Sequence, residues 1–138
     1  MTTEEMWQTS GLKGDYESWS FGDDSDKLAE LVKCGVKTAT CSAFVFYELE
    51  HEELPKVGAY SVIQDSKGNA VCIIRTTRVY ITTFDQISEQ HAFKEGEGDR
   101  SLAYWRQVHK RFFTNELNTI NQQFEEKMKL VCEEFELV

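Results

Sequence analysis

Tyr60-Ser61-Val62-Ile63-Gln64-Asp65-Ser66-Lys67-Gly68-Asn69-Ala70-Val71-Cys72-Ile73-Ile74 is the stretch that decides the fold. Tyr60, Val62 and Ile63 begin a strand, because aromatic and β-branched side chains favour a pleated, half-buried surface. Asp65 to Asn69 supplies the polar residues and the glycine of a tight hairpin turn. From Ala70 the chain stays rich in β-branched residues as far as Thr82, long enough for a strongly bent strand. Arg75 and Arg78 fall on opposite faces of a regular strand, so the spacing predicts a bulge or bend between them.

Upstream of the hairpin, Leu28, Leu31 and Val32 recur at helical spacing, with Asp24 or Ser25 to cap the start. Gly35 fits the left-handed position just past the helix end. Ala39 to Tyr47 reads as a strand on Thr40, Phe44, Val45, Phe46 and Tyr47. Glu48–Glu53 reads as a solvated loop, punctuated by Pro55 and Gly58. Residues 1–23 carry Trp7, Tyr16, Trp19 and Phe21 without a period and read as an irregular aromatic arm.

Downstream, Asp85 starts a short helix through Gln90, and Lys94–Asp99 is a loop. Asp99 or Ser101 caps a helix whose buried stripe is Leu102, Trp105, Val108 or His109, and Phe112. Asn115 to Glu126 reads as loop with a short helical piece. Met128, Leu130 and Cys132, with Phe135 and Leu137 on the other parity, form a closing strand. The order helix, three strands, helices, strand gives an α+β fold with antiparallel strands. Its strand number and twist suit a small, partly open β-barrel with flanking helices.

A chain of 138 residues that is 41% hydrophobic suits one domain, 1–138, around one core. No run of about 18 apolar residues is present, so no membrane partner is expected. The start, Met1-Thr2-Thr3-Glu4-Glu5, has neither the basic nor the apolar part of a secretory signal, and the expected location is cytoplasmic. Cys34, Cys41, Cys72 and Cys132 show neither a CxxC nor a zinc spacing. They read as reduced thiols, and no metal or other cofactor is expected. The net charge of -9 argues against a protein that coats nucleic acid through bulk electrostatics, and no DNA partner is expected.

Two short runs carry the chemistry. Gly35-Val36-Lys37-Thr38-Ala39-Thr40 puts a lysine and two hydroxyls just past a helix end. His91-Ala92-Phe93-Lys94-Glu95-Gly96 brings a carboxylate and a glycine. A lysine, a threonine and a glutamate converging in one cleft make a nucleophile, a base and an orienting group. Thr38 rivals Thr40: a strand from Thr38 sends both to one face, with Ala39 and Cys41 on the other. Glu97 competes with Glu95 for the carboxylate role. Lys37 also fits a plainer reading, a solvated cation at a helix C-terminus. Trp19 and Phe21 suit either stacking on an unpaired base or a lid on the core. Arg106 and His109, within a turn of each other, suit a phosphate or carbonyl contact. Arg75 and Arg78 suit a basic strip along the sheet.

Trp19-Ser20-Phe21-Gly22, Leu31-Val32 leading into Gly35–Thr40, His91-Ala92 with Glu95-Gly96, and Tyr104-Trp105-Arg106 with His109 and Phe112-Phe113 resemble the ASCH domain family. The likeness runs from about Tyr16 to the C-terminus. It implies a PUA-like barrel, a fold related to RNA-binding modules, and a small nucleoside or RNA ligand in the cleft. Some small bacterial members of the family are amidohydrolases that remove the acyl group from N-acetylated cytidine. Carried over by motif, their lysine, threonine and glutamate fall on Lys37, Thr40 and Glu95, with Glu95 preferred to Glu97. The resemblance also leaves open a non-catalytic RNA-binding module, and a ribonuclease. This chain is longer than the small amidohydrolases, with its aromatic arm and the Trp105–Phe113 helix.

Overall fold

The predicted hairpin is the centre of the molecule. The computed structural model describes residues Met1–Val138. The chain runs α1 (Thr3–Ser10), β1 (Tyr16–Trp19), α2 (Ser25–Lys33), β2 (Ala39–Ala43), α3 (Phe44–Glu50), β3 (Tyr60–Gln64) and β4 (Ala70–Thr83). A 3-10 turn (Phe84–Gln86), α4 (Glu89–Glu95), α5 (Leu102–Asn118) and β5 (Lys129–Leu137) follow. The strands form one α+β sheet in the order β1-β3-β4-β5-β2. β1 runs parallel to β3, and the other pairs are antiparallel. The resemblance implied a partly open barrel. The sheet is open, with β1 and β2 as its edges.

The bulge in the long strand lies where the arginines predict it, with a register shift between Thr76 and Arg78. Side-chain alternation then sets the layers. Ile63, Cys72 and Ile74 pack with Phe135 under Leu28, Ala29 and Val32 of α2. Val62 and Ile73 point to the opposite face and meet Trp7 of α1. Trp105 and Phe113 of α5 pack with Phe84, Ala92, Leu130 and Cys132.

Two segments differ from the sequence reading. The aromatic arm is ordered into α1 and β1. The Thr2 hydroxyl caps α1 by accepting from the Glu5 amide at 3.1 Å, and Trp7 stacks on Tyr16 with centroids 4.7 Å apart. The expected strand from Ala39 to Tyr47 ends at Ala43, and Phe44–Glu50 is helix. β2 is an edge strand whose pairing with β5 ends at Ala43↔Leu130. With no further ladder to join, the chain satisfies its amides within a helix, against the strand preference of Phe44–Tyr47. Smaller corrections concern α5, which continues to Asn118, and Lys94 and Glu95, which end α4 rather than begin a loop.

Candidate functional site

Lys37 is turned inward by the end of α2. Gly35 adopts φ 78°, and the amides of Val36 and Lys37 both donate to the Leu31 carbonyl at 3.0 Å. The lysine that results is 1% exposed. A lysine buried to that degree needs a partner for every proton. Nζ donates to Glu95 Oε1 at 3.2 Å, to the Glu95 carbonyl at 3.3 Å and to Glu97 Oε2 at 3.2 Å. The Phe21 ring lies 5.3 Å away.

Glu95 is the hub of the cluster. α4 places His91 and Glu95 four residues apart on one face, and α5 does the same for Trp105 and His109. His91 Nε2 and Trp105 Nε1 each donate to Glu95 Oε2 at 2.7 Å. Lys37 and His109 Nε2, the latter at 3.4 Å, reach Oε1. Three hydrogen bonds, from Lys37, His91 and Trp105, thus hold the carboxylate, with the His109 ring in ion-pair contact beside them. With Nε2–H given to the carboxylate, His91 Nδ1 pairs with the Tyr80 hydroxyl at 3.0 Å. His109 Nδ1 donates to the Trp105 carbonyl at 2.9 Å, and its Nε2 faces Glu95, a setting that favours the protonated ring.

Burial opposes the charge on Lys37, but the Glu95 and Glu97 carboxylates outweigh it and raise the lysine above its ordinary value. Burial opposes the Glu95 charge too, and Lys37 and His109 overcome it, holding the carboxyl well below the usual range. Burial is likewise outweighed by Glu95 at His109, whose value is raised. Burial, aided by Glu95, pushes the Cys41 thiol well up, so it stays protonated. When His109 is protonated, Lys37 and His109 match Glu95 and Glu97 in number of charges.

Donor atoms of Cys41, His91 and Glu95 lie within 4.8 Å of one another, as do those of Glu95, Glu97 and His109. Glu95 already accepts from Lys37, His91 and Trp105, and the Lys37 ammonium holds the position between the Glu95 and Glu97 carboxylates. The set suits an ammonium ion better than a metal.

These directions set a pH dependence. A raised His109 gives stability that is full below pH 6.5 and is lost as pH rises through its folded value. A depressed Glu95 gives stability present above pH 4.5 and lost as pH falls through its folded value. The stability gap between wild type and His109→Gln is therefore expected to be widest near about pH 6 and to narrow toward about pH 9. Urea midpoints read it, and a gap that widens with pH contradicts the assignment.

The glycines after α4 make close approaches to protein. A Cβ on Gly96, at φ 74°, would lie 2.6 Å from the Val36 carbonyl oxygen, and one on Gly98 would lie 2.5 Å from the Tyr104 ring. Val36 precedes Lys37, so Gly96 seats Glu95 against the lysine turn. Gly96→Ala meets backbone rather than a movable side chain. It is expected to cost about 2–4 kcal/mol, read by urea denaturation, from left-handed strain and the forced shift of Val36. A cost under about 1 kcal/mol would show that the turn yields.

A model of the ASCH domain matches residues 17–138, nearly all of this framework and every residue of the cluster. The chain belongs to the ASCH domain family. The structure is similar to that of an ASCH domain from Lactobacillus crispatus, with TM-score 0.91 and 32% identity over 97% of this chain and 92% of the other. It is also similar to a protein from Enterococcus faecalis, with TM-score 0.89 and 40% identity over 98% of this chain and 86% of the other. A hypothetical protein at 16% identity and TM-score 0.61, over 90% of this chain and all of the other, shares the fold. No curated protein gives a significant match.

In this ASCH domain Lys37 and Glu95 meet, and Glu97 joins them. Thr40 does not: it lies opposite Glu133 on β5, and strand alternation sends it away from Cys41, whose sulfur faces Glu95. Thr38 Oγ1 donates to the Lys94 carbonyl at 3.4 Å. Trp19 and Phe21 meet edge to face at 5.0 Å within the core packing. Arg75 and Arg78 pair with Glu136 and Glu134 at the surface, and Arg106 is exposed on α5. Cys41, His91, Tyr80 and Trp105 were not among the expected site residues. The i,i+4 spacings His91–Glu95 and Trp105–His109 were the available signal.

Beside the cluster a cleft of about 400 Å³ is lined by Asp24, Lys27, Glu97, Tyr104, Val108 and Arg111, among others. Glu97 is the member of the charge cluster in its wall, and Glu95 is not.

Proposed function

We propose that this ASCH domain binds a single nucleoside or unpaired RNA nucleotide in the cleft beside Glu97, without hydrolysing it. The observation that carries this reading is the division of labour between the two glutamates. Glu95 is buried and held on both oxygens by Lys37, His91 and Trp105, whereas Glu97 is held by Lys37 and borders a cleft of about 400 Å³, a size within the usual small-ligand range. A carboxylate so placed accepts the exocyclic amine of cytosine. Tyr104 offers an aromatic wall, and Lys27 and Arg111, set against Asp23 and Asp24, complete the polar lining.

Hydrolysis of an acylated cytidine through Lys37, Thr40 and Glu95 is less well supported. It needs a neutral lysine within reach of the hydroxyl. Lys37 is charged between two carboxylates, and Thr40 has no hydrogen bond to Lys37 or Glu95. Glu95 is also buried, engaged by Lys37, His91 and Trp105, and outside the cleft wall where a leaving group would sit.

The test is titration with cytidine and with N-acetylated cytidine, each followed for product. Both are expected to bind with weak salt dependence, since few phosphates are neutralised. Glu97→Gln should weaken cytidine by about 10–100-fold, the worth of one charged hydrogen bond. Turnover of the acylated nucleoside that disappears in Thr40→Ala would overturn the binding-only reading. Absence of any nucleoside binding would overturn the function itself.

A further inference from the structure

Phe93 lies on α4 away from the His91–Glu95 face and is 55% exposed. A single exposed phenylalanine needs no explanation. What surrounds this one is built. The Arg100 guanidinium sits 3.6 Å from the Phe93 ring centroid. It is fixed there by Nε donating to the Phe93 carbonyl at 3.0 Å and Nη2 donating to the Val36 carbonyl at 3.3 Å. Arg100 holds a left-handed backbone, φ 65°, which is unfavourable for a residue with a side chain and persists only where its surroundings enforce it. Around the pair is a hollow of about 520 Å³ that also includes Gln90, Lys94, Ser101 and Leu102.

We propose that Phe93, clamped by Arg100, is a stacking platform for a second unpaired base, next to the nucleotide held in the Glu97 cleft. The proposal rests on the nucleoside reading above and extends it to a short single strand. Aromatic rings and guanidinium planes stack any base, because every base has a π-face. Gln90 and Ser101 offer polar groups to a base edge. Arg100 bonds to backbone carbonyls and to no carboxylate, so its charge is available to a phosphate. The segment Gly96–Arg100 is shared: Glu97 and Gly98 line the inner cleft, and Arg100 lines the outer one. Gly98 and Arg100 are two residues apart, so at most about 7 Å of backbone separates these two points on the walls of the neighbouring hollows. Its anchor at Val36, adjacent to Lys37, makes the rim of the inner cleft and the floor of the outer one a single rigid piece.

The probes are cytidine and the trinucleotide of cytidine, titrated by calorimetry against wild type, Phe93→Ala and Phe93→Trp. Phe93 is exposed, so both variants are expected to fold. The trinucleotide should bind wild type more tightly than cytidine does. Phe93→Ala should weaken the trinucleotide by about 5–150-fold, the range for one stacked base, with cytidine unchanged. Phe93→Trp should restore affinity, and the new indole should be quenched by the trinucleotide and not by cytidine. Cytidine binding with a trinucleotide no tighter, or with Phe93→Ala indifferent, overturns the platform alone. Failure of both probes overturns the platform and the nucleoside reading together. A concentration-dependent dimer of wild type that Phe93→Ala abolishes would assign this face to a second copy of the chain and overturn the platform.

Discussion

Glu95→Gln is expected to lower the Tm by roughly 9–20 °C at neutral pH. Glutamine keeps the shape of the side chain and removes its charge. Lys37 and His109 are then left as buried cations whose field only Glu97 answers. The amide also brings N–H protons to a site whose neighbours are all donors: Lys37, His91, His109 and Trp105. Whichever way it flips, one pair of donors faces an N–H. Removing one member of a buried ion pair typically costs about 3–5 kcal/mol, and each kcal/mol is worth roughly 3–4 °C in a domain of this size. Thermal unfolding followed by circular dichroism reads it. A drop below about 3 °C would mean that the cluster relaxes and admits water.

Lys37→Met should be comparably damaging, at about 3 kcal/mol or more, for the opposite reason. Methionine fills much of the lysine's volume, so packing changes little. With His109 protonated, the cluster goes from neutral to a net charge of minus one, with Glu95 and Glu97 facing each other across the vacated ammonium position. Adding Glu97→Gln restores neutrality. The double variant is therefore expected to recover about 1–2 kcal/mol over Lys37→Met alone, a coupling of the size seen between contacting groups. Urea denaturation of the four proteins in the cycle measures it. No recovery would assign the loss to packing around Phe21 rather than to charge.

Much of the central architecture was legible from local rules. The β3–β4 hairpin was written in its turn residues, the bulge in the parity of Arg75 and Arg78, and the α2 end in Gly35. Each of those signals is self-contained within a few residues. The misread segments depend on distant partners. α1 has eight residues, too few to be stable alone, and exists because Trp7 finds Tyr16, Val62 and Ile73. Phe44–Tyr47 has strand composition, but its neighbour β2 has come to the edge of the sheet.

The site was half legible for the same reason. Motif spacing pointed to Lys37 and Glu95, which lie on segments that meet. It also pointed to Thr40, three residues along, where the pleat of β2 faces it the other way. Lys37 lies in the turn before β2 and is free of its pleat, whereas the Thr40 hydroxyl is fixed by it. That Glu95 would be enclosed and Glu97 left at the cleft wall depends on His91, Trp105 and His109 converging from two helices, which no single stretch of sequence records.

The pairing of β2 with β5 carries a consequence for how the chain reaches this state. Ala39 lies opposite Glu134, with β3, β4 and the last two helices between them in the chain. Until that contact forms, the outer edge of β5 presents unpaired amides and carbonyls, an invitation to association with other chains. Long-range strand pairing of this kind is slow, because the connecting chain must be ordered before the contact repays it. Lys37 stands two residues ahead of β2, so the same closing motion that seals the edge also carries its ammonium out of water and into the grip of Glu95. A nascent chain cannot make that motion until β5 has left the ribosome. The latest of the five strands in chain order is therefore the one that completes both the sheet and the buried charge cluster.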